Sequence, residues 1–475
     1  MGISEIRLRK FRGFKDAGIE VKPLTVLLGP NSAGKSSFGH ALAAMAHAHR
    51  AATSDPSLTP RKKDAEEWPV DLGDTNDLRT TGSRGPVEIE LTTQGGTIVL
   101  GFGGLTQTPE LLLTYVSHPS GADSLAAAPA DRSAANTVLA PSPVVSSVVP
   151  VEGTISATET AVRVRRVNER QWKEADKEDK DVSVMVDGLV VKAVTHVTGT
   201  ARLLSGVARE ELQAFLESVV YLRANRKRPS RYYIDELGKP QALGYSGEYT
   251  TSVLYRRQAE SVALLEPPIL SDPAGAATAT AAREWIATEK TLVEAVDFWL
   301  QHCALAEGVE AMAPTPPDTP LRLRVTLDGN RERDITEIGF GVSQVVPVLV
   351  AGLLQPAEGM LIVDLPEAHL HPRPQAAIAD FFCSLALSGR STLIETHSEM
   401  FFHRLRLRAA QNPALLDKIA VYFIDQPMDG LCTMPRAVGL RFEDELKWPE
   451  GFLQEAWEME TLISAFREAD QRPGE

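Results

Sequence analysis

The sequence predicts an α/β fold, a mixed sheet with an antiparallel N-terminal part that a large, partly helical insertion interrupts. Three features of the chain predict this fold. After residue 320, short apolar runs alternate with helical patterns, which is typical of parallel strands covered on both faces. Within residues 1–116, apolar and polar residues alternate in several runs, as in half-buried antiparallel strands. Between these parts, residues 117–311 differ in composition, which indicates an insertion.

Residues 1–116 are assigned to the N-terminal half of the main domain. We expect two strands joined by a turn before residue 21, a buried strand over Leu24–Leu28, and a helix from Phe38 to about His49. Alternating residues predict a further strand within 85–100 and another over Leu111–Val116.

The insertion is expected to have two parts. Residues 117–200 are rich in Ala, Ser, Pro, Thr and Val without a helical period, so we expect strands or a poorly packed, partly disordered segment. Residues 201–311 are expected to be mainly helical, because helical periods extend over Leu203–Tyr221 and Ala282–Leu305. A strongly basic loop follows the first of these helices.

Residues 320–475 are assigned to the C-terminal half of the main domain and a closing helix. Short apolar runs predict strands over Leu321–Leu327, Met360–Asp364, Ser391–Thr396 and Ile419–Ile424. Helical periods predict helices over Val345–Leu354, Gln375–Leu387 and Pro449–Ala469.

The loop after the first buried strand contains the pattern G-x-x-x-x-G-K-[ST] between a strand and a helix. Gly29 and Gly34 let the backbone turn tightly enough to aim N–H groups at a phosphate, and the helix N-terminus adds its dipole. Lys35 supplies a charge for the β- and γ-phosphates, and Ser36 a hydroxyl for Mg²⁺. A glycine-rich loop without a ligand is the alternative, but every position of the pattern is present. We therefore predict that ATP and Mg²⁺ bind at Gly29, Pro30, Asn31, Ser32, Ala33, Gly34, Lys35, Ser36 and Ser37.

Composition excludes several classes of protein. The chain has 475 residues, 43% of them hydrophobic and 24% charged, which is typical of globular proteins with more than one core. The longest apolar runs are shorter than a membrane span, and three widely spaced cysteines argue against a disulfide framework or a zinc site. We therefore expect a cytoplasmic protein without a membrane segment. The net charge of −14 means that a nucleic acid would need a local basic surface.

A second part of the site is predicted near the end of the chain. Asp364 follows four apolar residues, as expected of the strand-end carboxylate that binds Mg²⁺ through water together with Ser36. An ordinary strand-end aspartate is the alternative. His397 ends the next predicted strand, and Gly339-Phe340-Gly341-Val342-Ser343-Gln344 precedes a helix whose first turn is expected to contain Pro347.

These motifs, in this order, resemble those of ABC-type ATPases: a P-loop, a signature motif, a Walker B strand and a switch histidine. The segment Pro366-Glu367-Ala368-His369-Leu370-His371-Pro372 is similar to an element of bacterial P-loop AAA family ATPases related to the RecF, SMC and overcoming-lysogenization-defect (OLD) groups. The resemblance covers residues 1–115 and 320–470 best and points to a stand-alone subgroup without a TOPRIM nuclease domain. It implies that Gly341, Ser343 and Gln344 contact nucleotide and that His397 is catalytic. Metal binding by His369 and His371 is the less favoured alternative, because no carboxylate or cysteine completes the pair.

The sequence departs from this family at two positions. Most ABC-type ATPases have a catalytic glutamate directly after the Walker B aspartate, whereas this chain has Leu365. We expect Glu367 to replace that glutamate, or hydrolysis to be slow. The glutamine loop has no clear counterpart, although residues 71–74 lie in about the right region.

In the resembled family, two subunits enclose two nucleotides, and the cycle acts on nucleic acid or an effector nuclease. We therefore expect a homodimer or higher oligomer that hydrolyses ATP and regulates a separately encoded effector in antiphage defence or DNA repair. DNA or RNA would contact basic residues that lie among Tyr221, Tyr232 and Tyr233, namely Arg223, Arg226, Lys227, Arg228 and Arg231. A solvated loop, or one that docks on nucleotide, is the alternative for these residues.

Two other functions compete with this one. The first is a nucleotide-gated assembly protein that contacts only protein, with little or no hydrolysis. The second, the ATP-binding subunit of a membrane transporter, is disfavoured by the large insertion and by a signature that is not L-S-G-G-Q.

Overall fold

A computed structural model provides the structure of the protein. It describes residues 2–50, 69–70, 72, 75–83, 87–94, 96–103, 110–117, 124–126, 147–148, 159–168, 171–174, 181–187, 190–196, 201–203, 207–233, 243–268, 284–313, 320–329, 331–357, 359–425, 434–441 and 444.

The strands are β1 Glu5–Phe11, β2 Phe14–Glu20, β3 Leu24–Leu28, β4 Val87–Thr93, β5 Gly96–Gly103, β6 Glu110–Ser117, β7 Ser124–Ala126, β8 Ser147–Val148, β9 Glu159–Asn168, β10 Gln171–Glu174, β11 Asp181–Asp187, β12 Val190–His196, β13 Ala201–Leu203, β14 Val220–Leu222, β15 Ser261–Glu266, β16 Ile286–Thr291, β17 Gly308–Met312, β18 Arg322–Leu327, β19 Arg331–Asp334, β20 Met360–Asp364, β21 Ser391–Glu395, β22 Ile419–Phe423 and β23 Arg436–Ala437. The α-helices are α1 Ser36–Arg50, α2 Thr75–Leu78, α3 Val207–Ser218, α4 Thr250–Arg257, α5 Leu292–His302, α6 Phe340–Leu354, α7 Pro372–Leu387, α8 Glu399–Gln411 and α9 Ala414–Lys418. None of the helices in the described ranges is long and apolar enough to cross a membrane.

The central sheet has the strand order β14-β20-β21-β3-β22-β23, and its first five strands are parallel. Strands β3, β20 and β21 are short apolar runs, as the sequence predicts for strands covered on both faces. Because the carboxyl ends of parallel strands meet at one edge, the residues after β3, β20 and β21 lie together there. The register pairs Asp364 with Glu395 and Glu395 with Leu27.

Side chains of the central strands alternate between two hydrophobic cores. In β20, Met360 and Ile362 belong to one core, and Leu361 and Val363 to the other. The first core lies against α1, α3 and the antiparallel sheet β2-β1-β4-β5-β6. The second core contains α5, α6, α7 and α8. The central sheet, whose edge bears the P-loop, is therefore packed on both faces.

Much of the predicted secondary structure is confirmed. The hairpin β1–β2, the strand β3 and helix α1 follow in the predicted order, and β18, β20, β21 and β22 match the four strands predicted after residue 320. The predicted strands within 85–100 and over 111–116 are present as β4, β5 and β6. In 117–200, β7 and β9 to β13 form one sheet, and β8 pairs with β9. The predicted closing helix over 449–469 lies outside the described residues.

The predicted helix over 282–305 is wrong in its first part. Ile286–Thr291 is a strand that pairs antiparallel with Ser261–Glu266, and the helix begins only at Leu292. Thr291 accepts the Glu294 N–H while the Glu294 side chain accepts the Thr291 N–H, a capping box that ends the strand and starts the helix. A partner strand so far away in sequence cannot be detected from helical periodicity.

Two other predicted helices differ at their ends. Helix α6 begins at Phe340, so the signature residues lie in its first turns, and Pro347 is in the interior of the helix rather than its first turn. In place of one helix over Leu203–Tyr221, α3 occupies 207–218 and is followed by β14, the edge strand of the central sheet.

Candidate nucleotide-binding site

The P-loop is held in a conformation that requires glycine at its start. Gly29 has φ +146°, and a Cβ there would lie 2.0 Å from the carbonyl oxygen of Ile424, which follows β22. Gly34 has φ +92° and Ser32 φ +63°. Helix α1 begins at Ser36, directly after this turn, so its free N–H groups face the space that the loop encloses.

The P-loop lysine is buried inside the loop. Lys35 is 2% exposed, and its Nζ donates a hydrogen bond to the Pro30 carbonyl oxygen at 2.6 Å. The Glu395 Oε1 lies 3.8 Å from the same nitrogen. Burial lowers the pKa of the Lys35 ammonium, while the negative charges of Glu395 and Glu367 act in the opposite direction. The ammonium is therefore held between carbonyl and carboxylate oxygens at the edge of the sheet.

Asp364 ends β20 and is nearly enclosed. The Tyr221 hydroxyl donates a hydrogen bond to Asp364 Oδ2 at 2.5 Å, and the His40 Nε2 lies 3.6 Å from that oxygen. Burial raises the pKa of the Tyr221 hydroxyl, and the adjacent Asp364 charge raises it further, so Tyr221 remains a donor. These contacts orient the strand-end carboxylate from two sides.

Arg226, predicted to contact nucleic acid, is instead buried behind β20. It is 4% exposed, and its Nη2 donates hydrogen bonds to the carbonyl oxygens of Asp364 at 2.9 Å and Leu365 at 3.3 Å. Leu365 has φ +47°, which leaves its carbonyl turned away from the ladder of the sheet and in need of another donor. The prediction was wrong for Arg226, because a guanidinium satisfies strand-end carbonyls as well as it satisfies phosphates.

Glu395 ends β21 beside Asp364. Burial raises the pKa of its carboxyl group and the Asp364 charge raises it further, whereas a hydrogen bond with Ser36 and the charge of Lys35 oppose the rise. Its Oε2 is buried and has no hydrogen-bond partner among the described groups. The residue therefore brings a second carboxylate to the P-loop.

Glu367 and His397 lie next to each other at the same edge. Glu367 Oε1 accepts hydrogen bonds from Thr396 Oγ1 at 2.6 Å and from the His397 N–H at 2.9 Å. His397 Nδ1 lies 2.9 Å from the Gly29 carbonyl oxygen, which can only accept, so Nδ1 bears the proton. Burial and the Lys35 charge lower the pKa of the imidazole, which favours its neutral form.

Comparison with known proteins agrees with this geometry. A family model described as "AAA ATPase domain" matches residues 1–130, which contain the P-loop. A second model, described as "AAA domain, putative AbiEii toxin, Type IV TA system", matches residues 313–402, which contain the signature segment, Asp364 and His397. The chain contains the two matched segments of a P-loop AAA ATPase domain. No curated protein sequence matches the ATPase chain.

Several solved structures are similar over most of the ATPase at 10% sequence identity. The SMC head domain from Thermotoga maritima has a TM-score of 0.34 and covers 92% of this chain and 99% of that chain. The Smc head bound to the C-winged helix domain of ScpA has a TM-score of 0.42 and covers 94% and 100%. A Smc head domain derived from Pyrococcus furiosus, bound to the C-terminal domain of ScpA, has a TM-score of 0.38 and covers 94% and 98%. Since these TM-scores lie below 0.5, the ATPase fold rests on the strand order and the two family matches.

The signature segment of the ATPase lies on a separate surface. The Ser343 Oγ donates a hydrogen bond to the Phe340 carbonyl oxygen at 2.7 Å, and Gln344 is buried. Ser343 lines a small cleft together with Lys227 and Arg228, both of which are exposed. A Cβ on Gly341 would lie 3.2 Å from Leu370, so the helix start packs closely on the segment after β20. The cleft therefore combines a helix N-terminus, a hydroxyl and two cations.

The other basic residues of the loop differ in their exposure and contacts. Arg231 pairs with Glu337 at 3.1 Å on the surface, and Arg223 is partly buried. Residues 71 and 73–74, the region suggested for a glutamine loop, lie outside the described residues.

Sequence reasoning did not identify four groups that contact the site: His40, Tyr221 as a partner of Asp364, Arg226 as a strand-end donor, and Glu395. One of them had a detectable signal, because Glu395 is an acidic residue that ends a buried apolar run two positions before the predicted His397, as Asp364 ends the run before it. The contacts of Tyr221 and Arg226 join residues more than 130 positions apart, and no local pattern indicates them.

The residues present fit Mg²⁺ and the phosphates of a nucleotide. The backbone at Gly29 leaves no room for a side chain, and the Lys35 ammonium is buried. Ser36 and Asp364 provide the hydroxyl and carboxylate oxygens that Mg²⁺ prefers. The unpartnered oxygen of Glu395 is a further sign that the cluster accepts another group.

Proposed function

We propose that the ATPase binds and hydrolyses ATP between two copies of the chain, and that this cycle switches an assembly with a separately encoded effector. The single observation that supports it best is that, among the described residues, the cleft lined by Ser343 and two cations includes no residue of the P-loop. A first surface contains Lys35, Asp364 and His397, and a second contains Ser343 beside Lys227 and Arg228. Two copies that face each other would bring the second surface of one onto the nucleotide of the other.

Each residue has a defined task in this mechanism. The N–H groups of the P-loop bind phosphate oxygens, and Lys35 exchanges its contact with the Pro30 carbonyl for the β- and γ-phosphates. Ser36 and Asp364 would hold Mg²⁺, which neutralises charge that develops on the phosphates. Tyr221 keeps the Asp364 carboxylate oriented, and Glu367 positions the segment of His397. With Nδ1 bonded to the Gly29 carbonyl oxygen, Nε2 of the neutral His397 ring is an acceptor, and it would donate to a phosphate oxygen only once the ring is protonated.

A comparison of two lysine variants tests nucleotide binding. Lys35→Ala is expected to abolish ATP binding and turnover, whereas Lys15→Ala, on the exposed side of β2, should leave both unchanged. Binding is measured by equilibrium dialysis with labelled ATP, and turnover by phosphate release. Equal ATP affinity in wild type and Lys35→Ala would refute the site.

A pair of serine variants tests the proposed dimer around the nucleotide. Ser343 and Ser388 both donate their hydroxyl to a helix carbonyl oxygen of the preceding turn, at 2.7 and 2.8 Å. Ser343→Ala should abolish ATP-dependent dimers in light scattering, whereas Ser388→Ala should retain them. Dimers that form equally in both variants, or that need no ATP, would contradict the arrangement.

A role in a nucleic-acid-directed process such as antiphage defence or DNA repair is the second candidate, and the exposure of Lys227 and Arg228 favours it. Arg226 no longer contributes, since it is buried. If this role is correct, DNA or RNA will bind in a salt-dependent manner and binding will weaken in a Lys227→Ala/Arg228→Ala variant. Wild-type protein that binds neither nucleic acid in any nucleotide state would leave the protein-only assembly as the function.

A further inference from the structure

Hydrolysis requires a group that accepts a hydrogen bond from the attacking water and holds it near the γ-phosphate. Within the described part of the site, four side-chain acceptors lie at this edge: Glu367, Glu395 and His397, whose electrostatics involve Lys35, and Asp364, which lies beside Glu395. Leu365, directly after β20, has a side chain that cannot accept a hydrogen bond. The choice therefore lies among these four groups.

The four differ in their contacts, and among the described residues only Glu395 forms an ion pair with Lys35. Asp364 accepts the Tyr221 hydroxyl and is the carboxylate proposed for Mg²⁺. Glu367 accepts Thr396 Oγ1 and the His397 N–H on Oε1, and its Oε2 is buried without a hydrogen-bond partner among the described groups, but it forms no ion pair with Lys35 there. The His397 Nδ1 donates to the Gly29 carbonyl oxygen, which leaves Nε2 of the neutral ring as an acceptor without the negative charge of a carboxylate.

Glu395 has a free oxygen in the right place. Its Oε1 lies 3.8 Å from Lys35 Nζ, which marks the phosphate end of the cradle, and its Oε2 is buried without a hydrogen-bond partner among the described groups. The Leu365 N–H donates to the Glu395 carbonyl oxygen at 2.8 Å, so the two residues are direct neighbours across the sheet edge. Adjacent strands lie about 4.8 Å apart, a distance that a glutamate side chain can span.

We infer that Glu395 orients the attacking water in ATP hydrolysis, a task that Leu365 cannot perform from the neighbouring strand. This inference rests on the proposed function. In the step, the water oxygen forms a bond to the γ-phosphorus while a water O–H donates to the Glu395 carboxylate. The bond between the γ-phosphorus and the bridging oxygen breaks, its electron pair remains on ADP, and both water protons end on the released phosphate as H₂PO₄⁻.

The primary experiment compares Glu395→Gln with Glu284→Gln, a glutamate that is exposed and distant in sequence from every motif of the site. Glu395→Gln preserves the size of the side chain but removes the strong acceptor. We expect turnover to fall about 100-fold, the usual contribution of such a group. The ATP dissociation constant should change less than ~3-fold, since binding depends on the P-loop. Nucleotide extracted from the variant after rapid desalting should be ATP, whereas wild type should yield ADP.

A second variant moves the carboxylate to the adjacent strand. Leu365→Glu, introduced into Glu395→Gln, should restore turnover at least ~10-fold over the single variant, because a carboxylate returns to the same space. A merely structural role of Glu395 would not be rescued in this way. If the double variant does not fold, formate added to Glu395→Ala provides the same test, with chloride at equal ionic strength as the control.

Several results would overturn the inference. Turnover of Glu395→Gln within ~3-fold of wild type would show that another group orients the water. A defect that saturating Mg²⁺ restores would make Glu395 a metal-binding residue instead. A loss of turnover in Glu367→Gln but not in Glu395→Gln would assign the task to Glu367. If wild type itself fails to bind ATP, the proposed function fails, and this outcome is distinct from all of the others.

Discussion

Replacement of Arg226 by alanine should separate structural from nucleic-acid roles of the basic loop. The Arg226 guanidinium donates to the Asp364 carbonyl oxygen at 2.9 Å and, from two nitrogens at 3.3 Å, to the Leu365 carbonyl oxygen. A hydrogen bond from a charged group contributes about 1.5–3 kcal/mol. Burial also has a cost, since it lowers the pKa of this guanidinium to about 10 despite the nearby negative charges.

These opposing terms give the magnitude of the effect. The strong hydrogen bond to Asp364 and the weaker contact with Leu365 together contribute roughly 4 kcal/mol. Removing the buried charge also removes its desolvation cost, so the net loss of unfolding free energy should be about 2–3 kcal/mol. At about 2–4 °C per kcal/mol, the melting temperature of Arg226→Ala should fall by roughly 5–10 °C. The melting temperature of Arg226→Lys should fall by a similar amount, because an ammonium group lacks the planar geometry with which the guanidinium donates to both carbonyl oxygens.

The assay is thermal unfolding followed by circular dichroism, with Arg228→Ala as the matched control. Arg228 is exposed, so its removal should shift the melting temperature by less than about 2 °C. Equal melting temperatures for the two variants would refute the structural role of Arg226. So would a folded Arg226→Ala protein whose only defect is weaker binding of DNA or RNA.

Three further predictions concern the fold around the site. Gly29→Ala should abolish ATP binding, because the added Cβ would lie 2.0 Å from the Ile424 carbonyl oxygen; this is checked by equilibrium dialysis. Arg408→Met should destabilise the protein by about 3–5 kcal/mol, measured by urea unfolding, because it leaves the fully buried Asp380 without its bidentate partner. Asp297→Asn should stabilise the protein by about 1 kcal/mol at pH 7.5, after allowance for solvent screening, since burial raises the pKa of Asp297 to about 6.

The pH dependence gives the last of these predictions its sign. Because the folded pKa of Asp297 is raised, the native state binds its proton more tightly than the unfolded chain, and stability is lost as pH rises from about 4 to about 6. The advantage of the asparagine variant should therefore disappear near pH 4. An advantage that is the same at pH 4 and pH 7.5 would contradict this assignment. Unchanged ATP affinity in Gly29→Ala would contradict the first prediction. A loss of unfolding free energy below ~1 kcal/mol in Arg408→Met would contradict the second.

Local patterns predicted those parts of the site that are local in sequence. The P-loop is continuous, and an apolar run before Asp364 predicts a buried strand with a carboxylate at its end, as the structure shows. The pairing of Asp364 with Glu395 depends on the register of two parallel strands with a helix between them, and a single sequence does not specify that register. Glu395 was therefore missed although its strand was predicted.

The basic loop shows why charge alone misleads. A run of Arg and Lys is usually exposed, and for Lys227 and Arg228 that expectation holds. Arg226, in the same run, is buried with its guanidinium on two strand-end carbonyl oxygens. Only the three-dimensional position of β20 distinguishes it from its neighbours.

This burial also connects the insertion to the chemistry of the site. Residues 220–222 join the central sheet beside β20, with Tyr221 on the Asp364 carboxylate, and Arg226 follows on the Asp364 carbonyl oxygen. Asp364 is thus held on its side chain and on its backbone by one short segment of chain that leads out of α3. Any displacement of that segment must shift Asp364 or break a buried hydrogen bond. A ligand that moves the segment would therefore act on nucleotide turnover without contacting the P-loop, and nucleotide binding would resist the same movement by an equal free energy.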